Sequence, residues 1–497
     1  MNWKRPLALS TAALTLGTAL AACGNPTAAA PDPTPTPAAE VQSLSTTGST
    51  VKAPKYVFLF IGDGMSYPQI QSTSDFLGAL NDADYRQAQP SLDDNGGAIL
   101  DGPEYLNFMN FEAAGSAVTY DSNSFAPDSA STATSISTGY KTYSGSINVD
   151  ETGTISYETI AEQLHAQKGY SVGVITSVNL NHATPAAFYA HQASRNDYYD
   201  IGLELIDSGF EYFAGGGLLK PTGAEGDQAD LYALAEKAGY HVVKTQAEAE
   251  QVTGGPVVIN DEHLADSDAM AYEIDRTDDM WALADYVEKG IEVLSQDKDG
   301  FFMMCEGGKI DWACHANDAA STIHDTQALA DAVQVAIDFA KEHADETLIL
   351  VTSDHETGGL TIGFAGTDYD TYLDLLESQK ISYAKFDSDY VSRYKEDKTS
   401  FEDVLKDVEA LFGLKPQGEE GDKLVLTDYE LEQLRAAYEK SVNGTAASQY
   451  EQEEYVLYGT YEPLSVTLTH IINNKSGISF TSYSHTGLPV AVLAHGV

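Results

Sequence analysis

Four stretches of the chain are apolar almost without interruption and then break into glycine, serine and acidic residues. YVFLFIGDGMS begins at Tyr56, and the same pattern returns in YSVGVITSV (170–178), FFMMCEGG (301–308) and TLILVTSDH (347–355). Runs of this kind read as buried parallel strands that open into loops at their carboxyl ends. Helical stretches lie between them. YETIAEQLHAQKG (157–169) closes on Lys-Gly, a helix stop. TIHDTQALADAVQVAIDFAKEH (322–343) sets Leu329, Val333, Val335, Ala336 and Phe339 at helical spacing. The alternation predicts an α/β fold, a three-layer sandwich with a central, mostly parallel sheet and helices on both faces. Ligands of such sheets bind at the carboxyl ends of the strands. Asp63, Glu306, Asp354 and His355 fall there.

The rhythm is interrupted over 364–478, where SFEDVLKDVEALFGL and LTDYELEQLRAAYEK are amphipathic helices with capping patterns, Ser400 with Asp403 and Thr427 with Glu430. This segment reads as an inserted cap subdomain over one edge of the sheet, within a single domain spanning 51–497. At the other end, Lys4 and Arg5 precede an apolar run from Leu7 to Ala22 that is too short and too rich in Ala and Thr for a membrane span. It ends Leu20-Ala21-Ala22-Cys23, and residues 24–50 are rich in Pro, Thr, Ala and Ser, an extended spacer that cannot bury a core.

Composition narrows the partners. The chain has 497 residues with 75 acidic and 27 basic side chains, a net charge of −48. That density of negative charge excludes a nucleic-acid-binding surface and a polybasic membrane patch. Three cysteines, at positions 23, 305 and 314, make neither a disulfide scaffold nor a zinc-finger spacing.

The candidate chemistry is a scatter of carboxylates and histidines in short loops. Asp63 stands between Gly62 and Gly64, which let backbone approach a ligand, although Gly-Asp-Gly alone also describes a plain turn. PDSASTATSISTG (127–139) puts Ser129 ahead of a helix of small residues, whose N-terminus suits a phosphate. Ser129 there is either a nucleophile, given a partner that lowers its pKa, or part of a Ser/Thr-rich loop. Asp311 and His315 are four apart; on a helix they share a face and either chelate one metal or form a local carboxylate–imidazole pair. Asp354 and His355 end a strand, and YSHTG (483–487) adds His485. Together these are the carboxylate and imidazole donors of a Lewis-acid site, and two zinc ions about 4 Å apart hold the attacking and leaving oxygens of a phosphoryl displacement.

Six segments in order, FIGDGMS, DSASTATSISTGYKTYSGSINVD, HATPAAFYAHQASR, CEGGKIDWACHAND, VTSDHETGG and SHTG, resemble the alkaline phosphatase family over most of 55–363 and again at 479–497. The resemblance implies hydrolysis of small-molecule phosphate monoesters through a phosphoserine at Ser129. It implies a first zinc on Asp311, His315 and His485, and a second on Asp63, Asp354 and His355 that also holds Ser129 as its alkoxide. Thr184 and Glu306, with Asp63 as the bridge, hold a third ion, usually magnesium. Arg195 grips two phosphate oxygens, a bidentate task suited to guanidinium. Three divalent ions and Arg195 against four carboxylates and a serine alkoxide leave the site at about +2 inside an acidic protein. His182 stands where some members carry an aspartate near the third ion, and Trp312 where some carry a lysine near the phosphate. The run into Cys23 resembles a bacterial lipobox, which implies a signal peptide over 1–22, a lipid on Cys23, a tether over 23–50 and export to the cell surface or periplasmic face, held to the membrane by that anchor. A homodimer is the assembly common in the family that the sequence resembles. Two rival readings remain: a phosphodiesterase of the same superfamily, and a non-catalytic metal-binding surface lipoprotein.

Overall fold

A computed structural model describes residues 53–82, 100–444 and 451–496. The leader, Cys23 and the spacer lie outside the described residues. Among those described, no helix is long and apolar enough to cross a membrane.

The apolar runs form the middle of one large sheet. Its strands in chain order are β1 (Tyr56–Gly62), β2 (Ala113–Ala117), β3 (Ser171–Thr176), β4 (Tyr212–Gly215), β5 (His241–Val243), β6 (Val257–Asn260), β7 (Phe301–Gly307) and β8 (Thr347–Thr352). Four two-residue strands follow outside it: β9 (Glu356–Thr357), β10 (Thr361–Ile362), β11 (Ile478–Ser479) and β12 (His485–Thr486). The chain then returns to the sheet as β13 (Val490–Gly496). The spatial order is β2-β13-β8-β1-β7-β3-β4-β6-β5. All neighbours are parallel except β13, which runs antiparallel to both β8 and β2.

Successive side chains of one strand enter opposite cores, which is why these strands read as unbroken apolar runs. Phe58, Phe60, Phe301 and Met303 pack with Leu329, Val333 and Ala336 of the helix Ala319–Glu342 on one face. Leu59, Ile61, Val172, Val174, Phe302 and Met304 pack on the other. Each such buried side chain contributes about 1.5–3 kcal/mol. The register sets Gly62 of β1 against Gly307 of β7 and Ile61 against Thr352 of β8. Asp63, Glu306 and Asp354 therefore emerge from three adjacent strands at one edge.

β10 pairs antiparallel with β11, Thr361 opposite Ser479 and Ile362 opposite Ile478, so the chain between them leaves and re-enters through one neck. Its helices include Phe401–Phe412 and Asp428–Asn443, whose first turns are capped by Ser400 and Thr427 as their sequences predict. Val404, Val408, Phe412, Leu434, Leu468 and Ile472 build a third core, which also takes in Phe76 and Ile323 from helices packed on the sheet. The helix Pro463–Ser476 reaches the metal-ligand candidates indirectly: Asn473 Nδ2 donates to the carbonyl of Asn317, two residues past His315, at 2.7 Å.

Candidate metal centre

Ser129 opens the helix Ser129–Thr138, and the preceding Asp128 caps it by accepting from the backbone N–H of Ser131. Alanine, serine and threonine form the rest of this helix bar Ile136, so it fits under the sheet edge with its free N–H groups near Ser129. Asp311 and His315 lie on the helix Lys309–His315 and share its face, His315 Nε2 standing 3.3 Å from Asp311 Oδ2. Asp63 follows β1 in a turn where Gly64 has φ +70°; a Cβ at Gly64 would come within 2.8 Å of Thr357 Oγ1 and 3.1 Å of the Asp311 Cα, so glycine is required there. β12 brings His485 beside β9 through the pairing His485–Thr357.

The folded chain gathers three donor groups, each with its ligand atoms within 4.8 Å of one another: Asp311, His315 and His485; Asp63, Asp354 and His355; Asp63, His182 and Glu306. Hydrogen bonds fix which nitrogen faces inward. His315 Nδ1 donates to the Tyr483 carbonyl and His485 Nδ1 to the Pro127 carbonyl, both at 2.6 Å. With each Nδ1 engaged, the two Nε2 atoms are the ones that face each other, 3.1 Å apart. Thr357 Oγ1 donates to Asp311 Oδ1 at 2.5 Å and accepts from His355 Nδ1 at 3.3 Å, which turns the His355 lone pair toward Asp63 Oδ1 and Asp354 Oδ2, both at 3.3 Å. Ser129 Oγ is 3.0 Å from the same His355 Nε2. Asp63 Oδ1 and Glu306 Oε1 are buried without hydrogen-bond partners. Acceptors aimed at acceptors in a dry site are what divalent cations resolve.

The electrostatics agree. Burial, then the charges of Asp354, Asp311 and Glu306, hold the Asp63 carboxyl well above its usual range. Burial and the neighbouring Asp311 and Glu306 raise Asp354 to about 8, and burial raises Glu306 to about 7 despite the hydroxyl of Thr176. Burial followed by His485 holds His355 well below its usual value. Asp311 goes the other way: burial opposes, but His315, His485 and His355 pull it well down. Asp63, Asp354 and Glu306 pushed toward their protonated forms, with His355 and His485 pushed toward neutrality, are a set that cations would relieve.

The catalytic, metal-ligand and phosphate-proximal candidates, all among the described residues, come to this one edge, while Cys23 lies outside those residues. Thr184 Oγ1 donates to Asp63 Oδ2 at 3.3 Å. Arg195 Nη1 donates to Asp128 Oδ2 at 2.9 Å, and its Nη2 to His182 Nε2 at 3.3 Å. That bond leaves the hydrogen of His182 on Nδ1, which is buried without a hydrogen-bond partner; burial, then Arg195, lowers its pKa to about 3. Trp312 meets the His182 ring edge-on at 6.0 Å. Ser129, His182, Arg195, Asp311, Trp312, His315 and His485 line a cleft of about 540 Å³. The cysteines 305 and 314 are buried free thiols outside the donor groups.

Sequence reasoning missed the residues that aim the ligands. Asp128 orients Arg195, Thr357 orients His355, and Thr176 donates to Glu306. All three sit within or next to the nominated segments, and their short polar side chains were the available signal. Lys309 was also missed: fully buried, it pairs with Asp266 at 2.7 Å and lies 4.7 Å over the Trp312 ring.

Comparison with known proteins gives one consistent result. The family model described as alkaline phosphatase matches residues 54–497. The chain is similar to Alkaline phosphatase 3 of Bacillus subtilis (strain 168), 30% identical over 450 residues, covering 89% of this chain and 84% of that protein. Among solved structures it is similar to the cold-active alkaline phosphatase of a psychrophilic Shewanella sp., with a TM-score of 0.69, 28% identity and coverage of 89% and 94% of the two chains. The Thermus thermophilus alkaline phosphatase shares the fold at a TM-score of 0.68 and 23% identity, covering 90% and 86%.

Proposed function

The chain belongs to the alkaline phosphatase family, a family of metal-dependent phosphate monoester hydrolases, and from that premise we propose how its residues divide the work. The observation that carries the reading is Ser129 Oγ standing 3.0 Å from His355 Nε2 at the junction of the donor groups. Ser129 attacks phosphorus, the bond to the leaving alcohol breaks and a phosphoserine forms; water then attacks the phosphoserine, releasing inorganic phosphate and restoring the hydroxyl. Arg195 is held by Asp128 and His182 through two of its five N–H groups, and the others are available to phosphate oxygens.

The donor sets suggest the ions. Two imidazoles with a carboxylate (Asp311, His315, His485), and one imidazole with two carboxylates (Asp63, Asp354, His355), suit zinc. Asp63, Thr184 and Glu306 offer only oxygen, which suits magnesium. When bound, these ions supply the charge that lowers the pKa of the Ser129 hydroxyl and of the attacking water and steadies the leaving oxygen. We also assign export, with a lipid on Cys23 and residues 23–50 as the tether, from the sequence Leu20–Cys23. Residues 364–478 are assigned as a cap subdomain.

The reading is tested by phosphate release at alkaline pH from p-nitrophenyl phosphate and from bis-p-nitrophenyl phosphate. A monoester preference of about 100-fold or more (about 2.7 kcal/mol) is expected. Faster diester cleavage favours a phosphodiesterase, and bound metal without turnover favours a binding lipoprotein. A second expectation concerns product release. Trp312 occupies the cleft wall without offering charge to the phosphate. Trp312→Lys is expected to strengthen inhibition by inorganic phosphate about tenfold (about 1.4 kcal/mol), read as the inhibition constant; an unchanged constant would reject a role for this position in release.

A further inference from the structure

Four tyrosines, Tyr383, Tyr455, Tyr461 and Tyr483, line the same cleft. The first three belong to the segment between β10 and β11. Their rings make a continuous run. Tyr383 and Tyr461 are 5.6 Å apart and nearly perpendicular at 85°, Tyr461 and Tyr483 are 6.2 Å apart, and Tyr483 and Tyr455 are 6.1 Å apart. The hydroxyls at two of these positions are engaged by protein: Tyr383 accepts from the Tyr272 hydroxyl at 3.1 Å, and Tyr483 donates to the Leu457 carbonyl at 2.8 Å. What they offer a ligand is therefore mainly ring surface. The helix Glu451–Tyr458 that carries Tyr455 buries none of its residues, and Tyr455 is 50% exposed, so core packing does not account for an aromatic side chain there. Arg195 is the one lysine or arginine among the described residues lining the cleft, which favours a single phosphate over a chain of them.

Resting on monoester hydrolysis at Ser129, we propose that this tyrosine wall is a leaving-group subsite for planar aromatic groups, so that the enzyme favours nucleoside 5′-monophosphates over the same sugar phosphates without a base. A volume of about 540 Å³ suits a ligand of that size. Stacking a base on an aromatic side chain is sequence-tolerant and needs no hydrogen-bond partner, which matches a wall in which the hydroxyls of Tyr383 and Tyr483 are already engaged.

Adenosine 5′-monophosphate and ribose 5-phosphate separate this from chemistry, since they share the ester and the sugar phosphate and differ in the base. With the metal-loaded enzyme, kcat/KM is expected to be about tenfold higher for the nucleotide, carried by KM, because a distant base does not alter bond breaking. Tyr455→Ala and Tyr461→Ala should each pull that ratio toward one by raising KM for the nucleotide, and Tyr461→Phe should retain it. Tyr455 is half exposed, so its alanine variant does not threaten the fold. Equal kcat/KM for the two substrates in the unaltered enzyme would overturn the subsite while leaving monoester hydrolysis intact. A stronger preference for phosphocholine than for the nucleotide would overturn it in favour of cation recognition. Phosphate release from none of them would remove the underlying reading itself.

Discussion

Dialysis against a chelator is expected to abolish phosphate release and to leave a folded protein whose stability falls as the pH rises. Without cations, Asp63, Asp354 and Glu306 face one another in a dry site, and folding favours their protonated forms. A carboxyl with a folded pKa above its unfolded value contributes stability below the unfolded value and loses it as pH climbs through the folded one. For Glu306 and Asp354 that loss runs up to about 7 and about 8. His355, His182 and His485 are held neutral in the fold while an unfolded histidine is half charged at about pH 6.5, so they oppose this slope between about pH 6.5 and about 7.5, by less than the three carboxyls contribute, and add nothing above that. His315, raised above 6.5 by Asp311 against its burial, has the same sign as the carboxyls. The chelated protein should therefore melt at a lower temperature at pH 8 than at pH 6.5, by several degrees. Zinc and magnesium should remove that decline, because cations replace the protons the carboxyls would otherwise retain. The measurement is a pair of melting curves at each pH, with and without metal. A chelated protein that melts higher at pH 8 would mean that these carboxylates are compensated by something other than cations.

The fold was legible where both faces of a strand are covered. The runs at Tyr56, Ser171, Phe301 and Thr347 are apolar throughout because alternate side chains enter different cores, and the residue types that follow them mark the functional edge. The helix around 322–343 was legible in its middle, but it starts at Ala319, capped by Asp318 just past the DWACHAND turn, where the small polar residues carry no apolar period. Short or edge strands such as His241–Val243 and Ala113–Ala117 gave no signal of their own, since three residues show no period and Ala-Ala-Gly-Ser-Ala has little to bury. The site was legible as chemistry residue by residue, and its unity came only from order along the chain. Nothing local says that His485 meets Asp311, 174 positions away; that follows from β12 pairing with β9. The tyrosine wall was invisible for a related reason. Its members are spread from Tyr383 to Tyr483 with no fixed spacing, and the neck at β10 and β11 decides that they face one cleft.

Ser129→Ala is expected to lower kcat/KM for p-nitrophenyl phosphate by about a thousandfold or more (about 4 kcal/mol) while the protein stays folded. The fold should hold because the helix does not depend on this hydroxyl. Asp128 caps its N-terminus through Ser131 and also receives Gly145 N–H at 2.8 Å, and the Ser129 hydroxyl makes its one hydrogen bond to His355. Arg195 keeps both of its anchors, Asp128 and His182, so phosphate should still bind. A residual rate above that in water should persist, since groups that stabilise the transition state remain when the nucleophile is gone. The distinguishing readout is covalent. Acid quenching of the unaltered enzyme during turnover should trap one phosphoryl group on Ser129, found by mass on the peptide that contains it, and the variant should trap none. Thr132, whose Oγ1 lies 3.3 Å from Asp354 Oδ2 one turn along the same helix, is a rival hydroxyl. A variant that keeps the unaltered rate, or that traps phosphate on Thr132, would show that the hydroxyl beside His355 is not the one that attacks.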